Sequence, residues 1–313
     1  MPATTTTPRR RRNLSGSISS RISLPHVFLL PAVLAILLAL GYPLVRQIVL
    51  SFQDFGLAQQ FGRPPEWVGL DNYTELLGNP YLWRVTLRTV LFCLVNAAIT
   101  MVLGVGLALT MRYMSRGVRL AVQTGLLLAW AMPVVASLTV WQWLFDTQYG
   151  VVNYLLTRGG LDYAGHSWLL EPLSFFFVAT VVVVWMSVPF VAFTVYAALI
   201  QLPLELLEAA EMDGASPWER VRHVVLPSIR PVLLVVGLLQ VIWDLRVFTQ
   251  IFLLQEAGGS ARDTNLLGTY IYRLGIGGGD FGTSAAVAIF MLALTVVLTA
   301  PYIRAMLRQE GES

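Results

Sequence analysis

The sequence contains no lysine and one cysteine, and charged residues of any kind are scarce. Charged side chains make up 12% of the 313 residues, against about a quarter in an ordinary soluble domain. Hydrophobic residues reach 56%, which is more apolar surface than so few charges can keep in water. The composition therefore excludes a soluble globular domain and a disordered chain, and it indicates an integral membrane protein.

Several kinds of chemistry are excluded by the same scarcity. The single Cys93 rules out an internal disulfide and a cysteine-based zinc site, and the three histidines (His26, His166 and His223) lie too far apart in sequence to suggest a metal site. Without lysine there is no G-x-x-x-x-G-K-[ST] loop, so ATP and Mg²⁺ would be bound by another chain and this chain would hold no cofactor. The scattered arginines form no basic face for nucleic acid. No nucleophile is paired with a base, so we do not expect an enzyme.

Six apolar stretches are long enough to cross a bilayer, which takes about 20 residues of α-helix. They predict an all-α membrane protein with spans near residues 27–50, 86–111, 120–144, 174–200, 231–255 and 283–307. The permease domain is predicted over 25–308, after a disordered basic tail at 1–24 and before a short tail at 309–313. Counting arginines favours both termini in the cytoplasm, because that topology puts 13 on the inner side and five on the outer side.

The longest inner segment, residues 201–230, has the signals of two short helices joined by a turn, and we name it the elbow. Leu204–Met212 is rich in helix formers, and Asp213-Gly214 is a turn signal. Ser216 and Glu219 form a capping box for a second helix, which we expect Pro227 to end.

The elbow also carries more apolar surface than a solvated connector should expose, including Met212 and Trp218. This surface indicates a docking site for a cytoplasmic partner. An alternative is a helix pair that lies on the lipid headgroups.

The elbow resembles the EAA loop of bacterial ABC importer permeases, whose pattern is E-A-A-x-x-D-G-A followed by L-P. The matching residues are Glu208, Ala209, Ala210, Asp213, Gly214, Ala215, Leu226 and Pro227. The run Trp67–Tyr73 is similar to the W-x-G-L-x-N-Y of carbohydrate-importer permeases, and the likeness is closest to the maltose-type, first-permease branch. One departure is Ser260, which stands where the family's G-G-P loop has proline.

The resemblance implies a type I ABC importer permease in the bacterial cytoplasmic membrane. Such a subunit carries a sugar, expected here to be a di- or oligosaccharide, and pairs with a sister permease. Its other partners would be two cytoplasmic ATPase subunits, which dock on the EAA loop, and an extracytoplasmic solute-binding protein. The alternative function is a secondary transporter driven by an ion gradient, a class that usually has charges or broken helices at the membrane midplane.

Trp185 and Ser187 interrupt a valine run in the fourth span, and Pro189 can kink that span. By position they resemble the sugar-contacting stretch of maltose-type permeases. Alternatively, Pro189 is a packed kink, and Ser187 bonds a backbone carbonyl.

Polar residues in the fifth span predict that it lines the translocation path, because charges within a span seldom face lipid. Helix geometry places Asp244 on one face with Gln240, and Arg246 on another face with Trp243 and Gln250. A tryptophan ring over the guanidinium would help to keep Arg246 charged. Alternatively, both charges lie in interhelical pairs that only hold the two permeases together.

Overall fold

The computed structural model describes residues 24–310, with side chains from Phe28 to Leu307. The predicted basic tail, apart from its last residue, and residues 311–313 lie outside the described residues. The chain forms two compact units, one ending at Arg46 and one beginning at Gln47.

The first span is helical and contains one wider turn. Helix α1 covers Leu24–Ile36, a π-helical turn covers Leu37–Gly41, and α2 covers Tyr42–Ser51. Phe28–Ser51 is a mostly apolar stretch of 24 residues, which is long enough to cross a bilayer. The predicted span at 27–50 is therefore confirmed to within a residue.

A short ribbon and two helices follow the first span on the predicted outer side. Strand β1 (Gln53–Asp54) pairs antiparallel with β2 (Glu66–Trp67), with α3 (Leu57–Gln60) between them and α4 (Asp71–Gly78) after them. Asn72 donates to the Ser51 and Gln53 carbonyl oxygens at 3.0 Å, and the Tyr73 hydroxyl donates to Ser51 Oγ at 2.7 Å. The W-x-G-L-x-N-Y run thus ties the outer loop to the end of α2.

The second span is one helix, whereas the third is broken. Helix α5 covers Pro80–Tyr113. Helices α6 (Arg116–Ala131) and α7 (Val134–Leu144) meet at an angle of 102°, so the span predicted at 120–144 is a bent pair of helices and not one continuous helix. The break falls at Met132-Pro133, since proline cannot donate the next helical hydrogen bond and forces Met132 into an extended conformation (ψ 129°).

The fourth span is a single helix reached through an outer segment. Helix α8 covers Val151–Arg158, and α9 covers Pro172–Leu199. The helix continues through Pro189, which is buried, so the proline that could have kinked the span does not interrupt it.

Inside the cytoplasm-facing elbow, α10 covers Leu204–Met212 and α11 covers Pro217–Arg220. A π-helical turn over Val221–Val225 leads into α12, Leu226–Ser228. The fifth span is α13 (Arg230–Leu245) followed by α14 (Thr249–Glu256).

The chain ends in a folded outer loop and a last long helix. Short helices α15 (Ala261–Thr264) and α16 (Leu267–Tyr272) precede a π-helical turn over Arg273–Gly277, and α17 covers Phe281–Glu310. Of the described helices, five are long and apolar enough to span a membrane, or six if the bent pair α6–α7 counts as one span.

The core of the second unit lies where α5, α9 and α13 meet. Phe92 on α5 faces Phe176 on α9 with ring centroids 5.6 Å apart, and farther along the same two helices Gly104 lies against Val191. Residue numbers increase along both helices from the first contact to the second, so α5 and α9 run parallel. Cys93 donates to the Val241 carbonyl of α13 at 3.5 Å, whereas Met101 lies near Gly237, so α13 is antiparallel to α5.

Candidate functional site: the elbow and the fifth span

The turn of the elbow depends on Gly214. Its φ is +83°, a left-handed conformation that L side chains rarely adopt. The Gly214 N–H donates to the Glu211 carbonyl and the Ala215 N–H donates to the Ala210 carbonyl, both at 3.0 Å. These bonds satisfy the last carbonyls of α10 and reverse the chain within two residues. The predicted turn at Asp213-Gly214 is confirmed.

The second helix of the elbow begins with the predicted capping box. The Ser216 backbone N–H donates to Glu219 Oε2 at 2.8 Å, and the Glu219 N–H donates to Ser216 Oγ at 3.4 Å. Hydrogen bonds from the Ser216 hydroxyl and then from its backbone N–H lower the pKa of Glu219. Because a lowered carboxylate pKa stabilises the folded form only while the group is ionised, this cap weakens as the pH falls through that pKa.

An ion pair and a buried anchor hold the two halves of the elbow. Arg220 Nη1 lies 2.6 Å from Glu211 Oε2, which joins α11 to α10. Val225 and Ile229 are buried in a cluster with Leu199 of α9 and Val236 of α13. The elbow is therefore packed directly against the fourth and fifth spans.

Pro227 does not end the second helix, contrary to the prediction. The helical path continues to Ser228 because the π-helical turn over Val221–Val225 widens the backbone just before the proline. A wider turn moves the carbonyl groups away from the proline ring, which would otherwise clash with the residue four positions earlier.

The surface of the elbow is apolar and exposed. Glu208 and Ala209 are exposed on α10, and the side chains of Met212 and Trp218 are 88% and 67% exposed. Exposed apolar groups of this size mark a surface that another molecule covers. The structure brings the motif residues Glu208, Ala209, Ala210, Asp213, Gly214 and Ala215 into one turn, with Leu226 and Pro227 one helix farther on.

Trp185 and Ser187 point to different sides of α9, roughly 160° apart by helix geometry. Trp185 contacts Trp141 of α7 edge-on at 5.7 Å and lines a cavity of about 540 Å³ whose other walls are almost entirely apolar. Ser187 lies between Phe190, which contacts Trp243 at 4.8 Å, and Val191, which meets Gly104. Within residues 28–307 the Ser187 hydroxyl makes no hydrogen bond, so the alternative, in which it bonds a backbone carbonyl, is not seen there.

The fifth span is broken between Leu245 and Thr249, which the sequence did not predict. Gly268 of α16 approaches Val247 O, and the Tyr272 ring lies 5.3 Å from the Phe248 ring. The outer loop therefore packs into the break. Because the helix ends at Leu245, the predicted face shared by Arg246 and Gln250 does not exist.

Asp244 and Arg246 have opposite environments. Asp244 is 1% exposed and accepts two hydrogen bonds of 3.0 Å from Gln240 Nε2, which confirms their predicted common face. Arg246 is exposed and, among the described side chains, has no ion-pair, hydrogen-bond or ring partner. The predicted tryptophan ring over its guanidinium is thus missing.

The remaining path residues flank the break. Trp243 is 42% exposed beside Phe190, and Gln250 Nε2 lies 3.9 Å from Met186 Sδ. Trp243 and Gln250 therefore both contact the Met186–Phe190 stretch of α9, which includes Ser187, whereas Trp185 contacts Trp141 of α7.

Two buried polar residues were missed in the second span. Asn96 and Thr100 are fully buried on α5, and Asn96 Oδ1 and Thr100 Oγ1 have no partner in the described part of the chain. A signal was present, since Thr89, Cys93, Asn96 and Thr100 recur at helical spacing inside an apolar run.

Comparison with known proteins identifies the family that has this architecture. Residues 100–303 match the family described as binding-protein-dependent transport system inner membrane component. The diacetylchitobiose uptake system permease protein DasB of Streptomyces coelicolor is 45% identical over 289 residues, which cover 92% of this chain and 88% of that protein. The trehalose/maltose transport system permease protein MalF of Thermococcus litoralis is 32% identical, with 93% and 97% covered.

Solved structures show the same likeness. A chain from a bacterial ABC transporter involved in the import of the acidic polysaccharide alginate matches with a TM-score of 0.77 and 26% identity, covering 91% of this chain and 95% of that chain. The fold and the elbow thus define a type I ABC importer permease, a membrane transport subunit rather than an enzyme. This chain belongs to the family of inner membrane components of binding-protein-dependent transport systems, and it lies in the bacterial cytoplasmic membrane.

Proposed function

We propose that this chain is the permease subunit of an ATP-driven importer of a di- or oligosaccharide. It forms half of the translocation path with a sister permease and receives its substrate from an extracytoplasmic solute-binding protein. Two cytoplasmic ATPase subunits bind ATP and Mg²⁺, and one of them docks on the elbow. The observation that carries the proposal is the capped, exposed turn around Gly214, in a chain whose relatives are named as permeases for diacetylchitobiose and for trehalose and maltose.

The substrate path follows the break in the fifth span. Trp243 offers a ring that can stack on a sugar face, and the exposed Arg246 and half-buried Gln250 offer donors to sugar hydroxyls. Ser187 on α9 adds a hydroxyl without a partner among the described residues. Asp244 positions Gln240 from a buried site and does not meet the path. Trp185 is the weakest candidate for a residue of the sugar path, because the cavity beside it offers a sugar almost no hydrogen-bonding groups.

The test is reconstitution of the tagged chain with its sister permease, ATPase and solute-binding protein. ATPase should co-purify with the chain, and vesicles should accumulate labelled diacetylchitobiose, maltose or trehalose when supplied with ATP. Recovery of the chain without any ATPase, together with no uptake of a panel of di- and oligosaccharides, would refute the proposal.

A further inference from the structure

An arginine-lined pocket opens on the predicted outer face, where α5 begins. Its volume is about 550 Å³, and its walls include Arg84, Arg262 and Arg273 together with Asn79 and Asn265. Neither the elbow nor the broken fifth span uses these residues. Three guanidinium groups around one opening form a strong attraction for carboxylates, because the planar fork of arginine matches a carboxylate with paired hydrogen bonds.

The floor of the pocket is a fixed hydrogen-bond network. Asn265 is 4% exposed and donates to the Tyr81 hydroxyl at 3.0 Å, while Gln255 Nε2 donates to Asn265 Oδ1 at 3.2 Å. Arg88 Nη1, one turn below Arg84, donates to the Asn265 carbonyl at 3.1 Å. These bonds join α5 to the outer loop, so the pocket is a built feature and not a chance gap.

One arginine is positioned by that floor. Arg273 Nη2 donates to Gln255 Oε1 at 3.2 Å and lies 3.4 Å from Glu256 Oε1. Its Nε–H is buried and has no partner among the described residues, so one strong donor beside the pocket is unused. Arg84 and Arg262 are exposed, and neither side chain makes an ion pair in the described part of the chain.

We infer that this pocket receives acidic side chains of the extracytoplasmic solute-binding protein. This inference rests on the proposed function and adds a docking contact to it. Carboxylates accompany these arginines as well: Glu256 Oε1 lies 3.4 Å from Arg273 Nη2, and Asp263 follows Arg262 in the chain. Mixed signs set the register of a protein partner better than they attract an anionic lipid headgroup. Tyrosine and arginine, which surround the opening here, are also the side chains most enriched among strong protein–protein contacts.

The experiment uses the complete transporter in nanodiscs and measures ATPase stimulation by the solute-binding protein that activates the wild-type complex. Arg84→Glu and Arg262→Glu reverse charges whose side chains make no ion pair or hydrogen bond in the described fold. Each should raise the half-saturating concentration of the binding protein at least about tenfold without changing basal ATPase activity. Added salt should weaken the stimulation of ATPase activity by the binding protein more in the wild-type complex than in a variant that carries both substitutions. Arg63→Glu, an equally exposed outer arginine away from the pocket, is the matched control.

Three outcomes would overturn the inference. The first is that both pocket variants need the same half-saturating concentration of the binding protein as the wild type. The second is that Arg63→Glu raises this concentration as much as the pocket variants do. A third is a defect that follows the fraction of phosphatidylglycerol in the nanodisc, which would assign the pocket to lipid phosphate. If no binding protein stimulates the wild-type complex at all, the proposed function fails, so the two failures can be told apart.

Discussion

Asp244 and Arg246 lie two positions apart at the end of α13, and they differ because one is buried and the other is exposed. Asp244 has lost its contact with water and is held by the Gln240 amide, whereas Arg246 stands at the end of α13 without a partner in the described chain. Removing the partner of a buried polar group lowers the free energy of unfolding, whereas neutralising an exposed cation changes it little. Substitution can therefore separate the structural charge from the path charge.

We expect Asp244→Ala to destabilise the permease by about 1–3 kcal/mol, because it leaves the buried Gln240 amide without its acceptor. Arg246→Gln should leave the melting temperature of the detergent-solubilised complex unchanged and raise the KM for sugar uptake. Arg158→Gln, at an exposed outer arginine, is the control for loss of positive charge. Unaltered uptake by Arg246→Gln at every sugar concentration would remove Arg246 from the path.

At the scale of elements, the turn of the elbow and the contact between α5 and α9 each depend on one glycine for a different reason. Gly214 is needed for its backbone conformation, since nothing lies within 4 Å of the position of its missing Cβ. Gly104 is needed for its small size, since a Cβ there would lie 2.5 Å from Val191 Cγ1. Both reasons can be tested against other glycines of the chain that lack the feature.

Gly214→Val should reduce ATPase co-purification and sugar uptake, because a β-branched residue resists a φ of +83°. Gly117→Val is the control on the same side of the membrane, since Gly117 has an ordinary helical φ and open space around it. ATPase recovery and uptake by Gly214→Val that both equal those of Gly117→Val would show that the turn is not needed for coupling.

Gly104→Ala should lower the free energy of unfolding by about 1–3 kcal/mol, since the added methyl group forces α5 away from α9. Gly106→Ala, two residues on in the same helix, meets nothing within 4 Å and should be neutral or stabilising. Thermal unfolding in detergent measures both. Equal melting temperatures would mean that α9 moves aside without cost.

For the whole molecule, the two broken spans bear on how transport is energised. Broken helices at membrane depth are also a feature of ion-driven transporters. The family to which this chain belongs depends on binding proteins, however, and the buried cluster of Val225, Ile229 and Leu199 joins the elbow to the spans. Energy is therefore expected to enter from the cytoplasmic side through the elbow.

We expect sugar uptake by reconstituted vesicles to stop when ATP is omitted and to continue when ionophores collapse the proton and sodium gradients. A non-hydrolysable ATP analogue in place of ATP controls for binding without hydrolysis and should give no sustained accumulation. Uptake that survives without ATP but stops with ionophore would support the ion-driven alternative.

Local chemistry made much of the fold predictable from sequence. The membrane class follows from composition, and most of the helix limits follow from the apolar runs. The capping box of Ser216 and Glu219 and the turn at Gly214 each depend on residues within a few positions, so the elbow was readable before any packing was known. The break at Pro133 also has a local cause, which the apolar run around it conceals.

By itself, the sequence determined the class of protein, where the apolar spans lie in the chain and the turn of the elbow, because hydrophobicity, caps and glycine conformation act over short stretches of chain. Only the tertiary structure decided the break after Leu245, where no proline or glycine interrupts the helix and α16 from the outer loop packs against it instead. Tertiary packing also buries Asp244, leaves Arg246 exposed and gathers Arg84, Arg262 and Arg273 around one pocket. These arrangements depend on segments far apart in sequence, whose contacts no local pattern records.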